Sequence, residues 1–233
     1  METKKLKIVI VIAAIASIIG GLVYVLISNV KQEENVNISP KKVEAVIEEL
    51  IDWEKRHEIN PEFKGQIKFE SQLLKENVVQ GKDNEKYLAL SWDLEETSQG
   101  SIFMDYRNHI EDQNLILYGH YVYKDENAKF GPLSQLIEEK NYEKNKYIEL
   151  EIEEEKRKYE IAYVYYYEMG NPLMEYFHTN YDNEYFEVYK EKVKEQAFYE
   201  TGIEIAMEDK LLTLQTCVRD RDDLRLVVIA REI

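Results

Sequence analysis

The chain has 233 residues and carries 46 acidic against 30 basic side chains, a formal net charge of −16. That excess repels phosphate backbones and anionic headgroups, and it argues against nucleic acid as a partner. A single cysteine excludes an internal disulfide framework and leaves Cys217 as either a small buried hydrophobe or a reactive thiol.

The first strong signal is Ile8 to Ile27, which has no charged side chain and is rich in Ile, Val, Ala and Leu. About 20 such residues, each rising about 1.5 Å in a helix, cross a bilayer core. A cleaved signal peptide is the rival reading, but its apolar core is about 7 to 15 residues and ends small-x-small. This run closes Val25-Leu26-Ile27-Ser28. Lys4, Lys5 and Lys7 precede it, while Lys31 is soon followed by Glu33 and Glu34, so the positive-inside rule keeps the N-terminus in the cytoplasm. The expected order is a cytoplasmic tail over 1–7, a transmembrane anchor over 8–28, a linker over 29–39 and one extracellular domain over 40–233.

Ser39 and Pro40 suit the N-cap and first position of a helix, and Val43, Val46, Ile47, Leu50 and Ile51 recur on one face. This N-terminal helical part spans about 40–60 and stops before Pro61. Short strand candidates follow at Gly65–Phe69, Asn77–Val79, Ser101–Met104 and Leu115–Tyr118. Lys146 to Glu153 alternates strictly, with Ile148, Leu150 and Ile152 opposite Glu149, Glu151 and Glu153. A charged turn over Glu154–Lys158 and a returning strand over Tyr159–Tyr167, with Ile161, Tyr163 and Tyr165 on one side, complete a hairpin. Tyr185–Phe198 reads as a helix with Phe186, Tyr189, Val193 and Ala197 on its apolar stripe. Leu211–Cys217 and Arg225–Ile229 are the last strands, joined by a polar loop over Val218–Leu224. Many short strands with a few helices predict a mostly β, closed or nearly closed barrel decorated by helices. The four histidines are scattered, none at ligand spacing with a second His or Cys, and there is no Gly-rich phosphate loop, so no metal and no cofactor is expected.

Alternation along the final hairpin places Thr213, Gln215 and Cys217 on one face and Leu212, Leu214 and Thr216 on the other. Cys217 thus ends a strand at the rim of the barrel, and a hairpin of this length returns Arg225 beside it. A thiol titrates near about 8.5 and needs a cationic neighbour or a base to act as a nucleophile. Among the histidines, His120 closes the apolar strand Leu115 to Gly119 at a strand-to-loop boundary, whereas His57, His109 and His178 sit among charges, in a polar turn and in a Tyr-rich stretch. Pattern alone leaves the choice among them open. The tyrosines between Tyr159 and Tyr189, Tyr167 included, suit half-buried strand and helix positions, with the lining of a peptide groove as the alternative.

Thr213-Leu214-Gln215-Thr216-Cys217, Arg225 downstream and Tyr118-Gly119-His120 upstream resemble the signature of the sortases: Thr-Leu-x-Thr-Cys, a later Arg and an earlier Gly-His. Val78 to Asn84 with Tyr87-Leu88, and Gly100 to Asn108, resemble class B in particular, and the likeness runs from about Glu58 to the C-terminus. It implies a closed eight-stranded barrel with a long helix in the connection before the cysteine strand. It implies a cysteine transpeptidase in which Cys217 is the nucleophile, His120 the general acid and base, and Arg225 the stabiliser of oxyanion and substrate. Its partners would be the sorting-signal peptide of an exported protein and a peptidoglycan amine. Gln215, Thr216 and Tyr167 would contact substrate. Class B members commonly have Ser where this chain has Gln215, which bears on substrate fit. A cysteine peptidase that hydrolyses the same acyl-enzyme and a non-catalytic wall-facing module are the competing functions.

Overall fold

A computed structural model describes residues 52–122, 125–153 and 155–233. The expected anchor, linker and most of the first helix lie outside them; residues 52–59 are helical, in keeping with the helix expected to end near Pro61. No helix among the described residues is long and apolar enough to cross a membrane. Residues 54–233 form one compact unit.

Eight strands build it: β1 Phe63–Phe69, β2 Lys75–Val79, β3 Ile102–Met104, β4 Asn114–Tyr118, β5 Tyr147–Ile152, β6 Glu155–Glu168, β7 Leu211–Val218 and β8 Arg221–Glu232. They close into a barrel in the order β1-β2-β3-β4-β7-β8-β6-β5. The pairs β2–β3 and β4–β7 are parallel and the others antiparallel. Closure leaves no unpaired edge, which is how so many short strands persist without exposing backbone donors and acceptors.

Two apolar clusters sit on the two sides of the barrel wall. Ile67, Leu117, Leu150, Ile161, Leu212, Leu214 and Val228 fill the interior. Outside β4, β6, β7 and β8, the residues Ile116, Tyr163, Tyr165, Val227 and Ile229 pack against Phe186, Tyr189 and Val193 of the helix Asn183–Gln196. That helix is capped by Asp182, whose side chain accepts from the Tyr185 N–H at 2.9 Å. It is the long helix expected before the cysteine strand.

Three expectations change. First, Ile161 does not share a face with Tyr163 and Tyr165: it pairs with Ala230 toward the interior, while Tyr163 pairs with Ile229 on the outside. The register shifts between Ile161 and Tyr163, and the one extra residue, Ala162, inverts the inward parity of everything after it. Second, most of the expected turn Glu154–Lys158 is strand. Glu149 pairs with Lys158, Glu151 with Lys156 and Ile152 with Glu155, so charges that read as a turn are cross-strand partners for the β5 glutamates. Third, the loop Val218–Leu224 is mostly strand as well: Val218 pairs with Arg221 across a turn at Asp220, where φ is 57°. Three short 3₁₀ helices, Lys86–Leu88, Gly131–Ile137 and Glu139–Asn141, carry no periodicity long enough to announce them.

Candidate active site

Strand register assembles the site. On β7 the interior-facing residues are Leu212, Leu214 and Thr216, and the outward ones are Thr213, Gln215 and Cys217. Cys217 pairs with Arg225 of β8, and Arg225 pairs with Tyr167 of β6. On the other side β4 runs parallel to β7 with Tyr118 opposite Gln215, and the Gly119 N–H continues the ladder to the Gln215 carbonyl at 3.2 Å. Cys217 lies two residues beyond Gln215 on β7 and His120 two residues beyond Tyr118, just past the end of β4, so the parallel register carries both toward the same end of this wall. Cys217, Arg225 and Tyr167 therefore form one transverse row across β7, β8 and β6, and His120 follows from the segment just past the end of β4.

The register between β7 and β8 shifts immediately after Cys217, whose neighbour Val218 pairs with Arg221 while Cys217 itself pairs with Arg225. Residues 222–224 bulge out between them. The bulge is pinned by β6, through the Glu168–Leu224 pair and the Met169 N–H donating to the Asp223 carbonyl at 2.9 Å. Its carbonyls also hold Arg225, whose Nη1 donates to Asp222 O at 2.9 Å and Leu224 O at 2.8 Å. With Nη1 engaged, Nε and Nη2 have no partner among the described residues and remain as donors for a ligand at the half-buried Cys217.

His120 is oriented from the other flank. Its Nε2 donates to the Leu88 carbonyl at 2.8 Å. A carbonyl can only accept, so Nε2 carries a proton and Nδ1 is the nitrogen left to exchange one. This approach requires Gly100, which has φ +60°; a Cβ there would lie 2.6 Å from Tyr87 O, 2.9 Å from Leu88 O and 3.0 Å from His120 Cδ2. The other histidines are accounted for elsewhere. His57 meets the Phe63 ring edge-on at 5.7 Å, His178 stacks on Phe177 and reaches Glu175 at 3.3 Å, and the His109 N–H donates to Asp112.

Beneath the row lies a polar brace that periodicity could not reveal. Asp105 is fully buried and accepts from Arg107 Nε at 2.9 Å, Arg107 Nη2 at 2.8 Å, Tyr118 Oη at 2.8 Å and Asn84 at 3.1 Å. Burial pushes the Asp105 carboxyl up, but the Arg107 guanidinium and backbone N–H, with Tyr118 and Asn84, outweigh it and hold the carboxyl below its ordinary value. Arg107 Nη2 also donates to the Phe177 carbonyl at 2.9 Å, tying the β3–β4 connection to the segment that follows β6. The signal for this brace was the Gly100–Asn108 motif, which carries Asp105 and Arg107 but says nothing of where they point.

The expected substrate contacts divide. Gln215 lies on the outward face of β7, 9% exposed, and accepts from Tyr176 Oη at 3.2 Å. Tyr167 stands in the row but is 4% exposed; its ring packs edge-on against Tyr176 at 5.2 Å and its hydroxyl accepts from the Gly170 N–H, so its side chain is committed to packing. Thr216 is a correction. It is fully buried on the interior face, as alternation next to Cys217 demands, and its side chain offers nothing to a ligand outside the barrel. Among the described residues no group of His, Cys, Asp and Glu side chains could hold a metal ion.

A family model described as the Sortase domain matches residues 68–233. Sortase B of Staphylococcus aureus is 30% identical over 186 residues, covering 78% of this chain and 74% of that protein. The crystal structure of Clostridium perfringens sortase B aligns with a TM-score of 0.70 at 33% identity, covering 78% of this chain and 99% of the other. A Staphylococcus aureus sortase B–substrate complex aligns with a TM-score of 0.69 at 30% identity, covering 77% and 83%. The chain belongs to the sortase family and is a cysteine transpeptidase of class B.

Proposed function

We propose that Cys217, His120 and Arg225 carry out acyl transfer between a sorting signal on an exported protein and an amine of the cell wall, and that the chain works on the outer face of the membrane from an anchor at residues 8–28. The observation that carries this reading is a half-buried thiol with a guanidinium paired across from it on β8 and, on its other side, an imidazole two residues past the Tyr118–Gln215 pair of β4 and β7.

The Cys217 thiolate attacks the carbonyl carbon of a threonine in the signal. A C–S bond forms, the carbonyl electrons move to oxygen, and Arg225 donates hydrogen bonds to that oxyanion through the N–H groups its backbone contacts leave over. Collapse of the intermediate breaks the C–N bond, and His120 delivers a proton to the departing amine. An incoming amine then attacks the thioester, His120 takes its proton, and the C–S bond breaks to give a new amide. The Leu88 carbonyl holds His120 so that Nδ1 performs both transfers.

Two independent features support the location. Residues 8–27 have the length and composition of a membrane span, with lysines on the side expected to stay inside. Holding the enzyme where both substrates reside raises their effective concentration. The test is to incubate the full-length chain in detergent with a library of threonine-containing signal peptides and a wall-type amine, resolving products by mass. Peptide–amine conjugates that disappear in Cys217→Ala, with the fold retained by circular dichroism, are expected. Hydrolysis products alone would refute transfer, and conjugates made by Cys217→Ala would remove the thiol from the mechanism.

A further inference from the structure

The Leu88 carbonyl that fixes the His120 tautomer is not anchored by its own side chain. Leu88 is 42% exposed, and its N–H closes the short turn onto the Glu85 carbonyl at 3.0 Å. The residue before it is the anchor. Tyr87 is 1% exposed, packs with Val79 and Phe103, and its carbonyl accepts from the Ser101 N–H at 2.9 Å. Lys86–Leu88 is a three-residue 3₁₀ turn with few hydrogen bonds of its own, so the direction of its last carbonyl follows whatever clamps it.

The clamp is the Tyr87 hydroxyl. It donates to Glu62 Oε2 at 2.7 Å and accepts from Asn60 Nδ2 at 2.9 Å. Burial pushes this hydroxyl above its ordinary value, so it keeps the proton it donates. Glu62 Oε2 also accepts from Lys86 Nζ at 2.6 Å, which ties the first residue of the turn to the same carboxylate. Asn60 is 1% exposed, and its side chain is fully engaged at this junction: Nδ2 donates to the Trp92 carbonyl at 2.6 Å as well as to Tyr87, and Oδ1 accepts from the Glu62 N–H at 2.9 Å. Its own N–H closes the last turn of the preceding helix on the Arg56 carbonyl at 2.9 Å. A buried network in which every member finds its partners rigidifies the segments it joins.

We infer that Tyr87, Asn60 and Glu62 are positioning residues for His120. They act through the Leu88 carbonyl: the network sets the turn, the turn aims the carbonyl, and the carbonyl holds the Nε2 proton so that Nδ1 is left for proton transfer. The effect on turnover rests on the acyl-transfer reading of the site, whereas the effect on the imidazole ring does not.

The experiment uses the full-length chain in detergent, isotopically labelled at its histidine ring nitrogens for magnetic resonance, the His120 signals being those lost in His120→Asn. With the ring neutral, the wild type is expected to show the Nε2–H tautomer. Tyr87→Phe should move both ring-nitrogen resonances toward those of a tautomer mixture and lower kcat for peptide–amine transfer by about fivefold, with KM unchanged. Asn60→Ala should do more of both, because it also releases the Trp92 carbonyl. Glu62→Gln keeps an acceptor for the tyrosine and should stay close to wild type in both. Circular dichroism checks each fold, and if Asn60→Ala does not fold, Tyr87→Phe, which keeps the buried ring, decides. Wild-type resonances and kcat in Tyr87→Phe overturn the inference, as does a change confined to KM or a displaced ring with unaltered kcat. A wild type that transfers no peptide, with the ring displaced in Tyr87→Phe, overturns the acyl-transfer reading and leaves the positioning of His120 standing.

Discussion

The outer wall over β1, β5 and β6 and the outer wall over β4, β7, β8 and β6 are built from opposite materials. On the first, Lys64, Gln66 and Lys68 of β1 lie beside Glu149 and Glu151 of β5, and Lys156 and Lys158 of β6 complete the pattern. Lys68 meets Glu149 at 2.8 Å and Lys158 meets Glu70 at 2.6 Å, with side chains about two-fifths exposed. On the second, aromatic and branched side chains face out and are covered by the helix Asn183–Gln196. The polar groups left at its end are His120, Gln215, Cys217 and Arg225. Charge density therefore does not locate the chemistry. Exposed pairs in water exchange one set of favourable contacts for another, whereas a few polar groups against a packed wall keep fixed directions.

If that contrast is right, Arg225→Lys should be among the most damaging conservative changes on the second wall. A point charge cannot both hold Asp222 O and Leu224 O and present further donors, and kcat/KM should fall by about 10²- to 10³-fold while Cys217 is still alkylated. Gly100→Ala should come next. Positive φ and close contacts with Tyr87 O, Leu88 O and His120 predict a stability loss of about 1–3 kcal/mol. Denaturant titration measures that loss, and a drop in kcat beyond the loss of folded enzyme shows His120 displaced.

Asp105→Asn sharpens the comparison through pH. Because the folded state holds the Asp105 carboxyl below its ordinary value, its contribution to stability is complete above about pH 4 and is lost as pH falls through the lowered value. The variant should be about 1–2 kcal/mol less stable than wild type at pH 7, and the gap should narrow in melts taken below about pH 4. The smallest effect belongs to the first wall, where Glu149→Gln should change stability by no more than about 0.5 kcal/mol. A loss several times larger would mean that the Lys–Glu rows hold the barrel closed.

Much of this was legible beforehand. The strict alternation of 146–153 yielded β5, and the Cys217 strand, its partner Arg225 and the faces of Gln215 and Thr216 followed from a period of two and a hairpin. Errors came where a local pattern was ambiguous. Charged runs at Glu155–Lys158 and Arg221–Leu224 looked like turns because composition does not show that a neighbouring strand supplies the opposite charges or accepts the backbone bonds. Ala162 looked like any strand residue, and only the pairing with β8 made it the bulge that sends Tyr163, Tyr165 and Tyr167 outward.

The sequence by itself determined which strand carries the thiol, which face it occupies and which arginine returns beside it, because alternation and hairpin closure act over a few residues. Tertiary structure decided the rest. The parallel pairing of β4 with β7 carries His120 to the end of the wall where Cys217 lies, and the turn at Lys86–Leu88 supplies the carbonyl that fixes its tautomer. Tyr176 reaches over from beyond β6 to turn the Gln215 amide. These contacts join segments far apart in the chain, and their geometry is set by barrel closure and by the requirement that buried donors and acceptors find partners, conditions that only the whole fold satisfies.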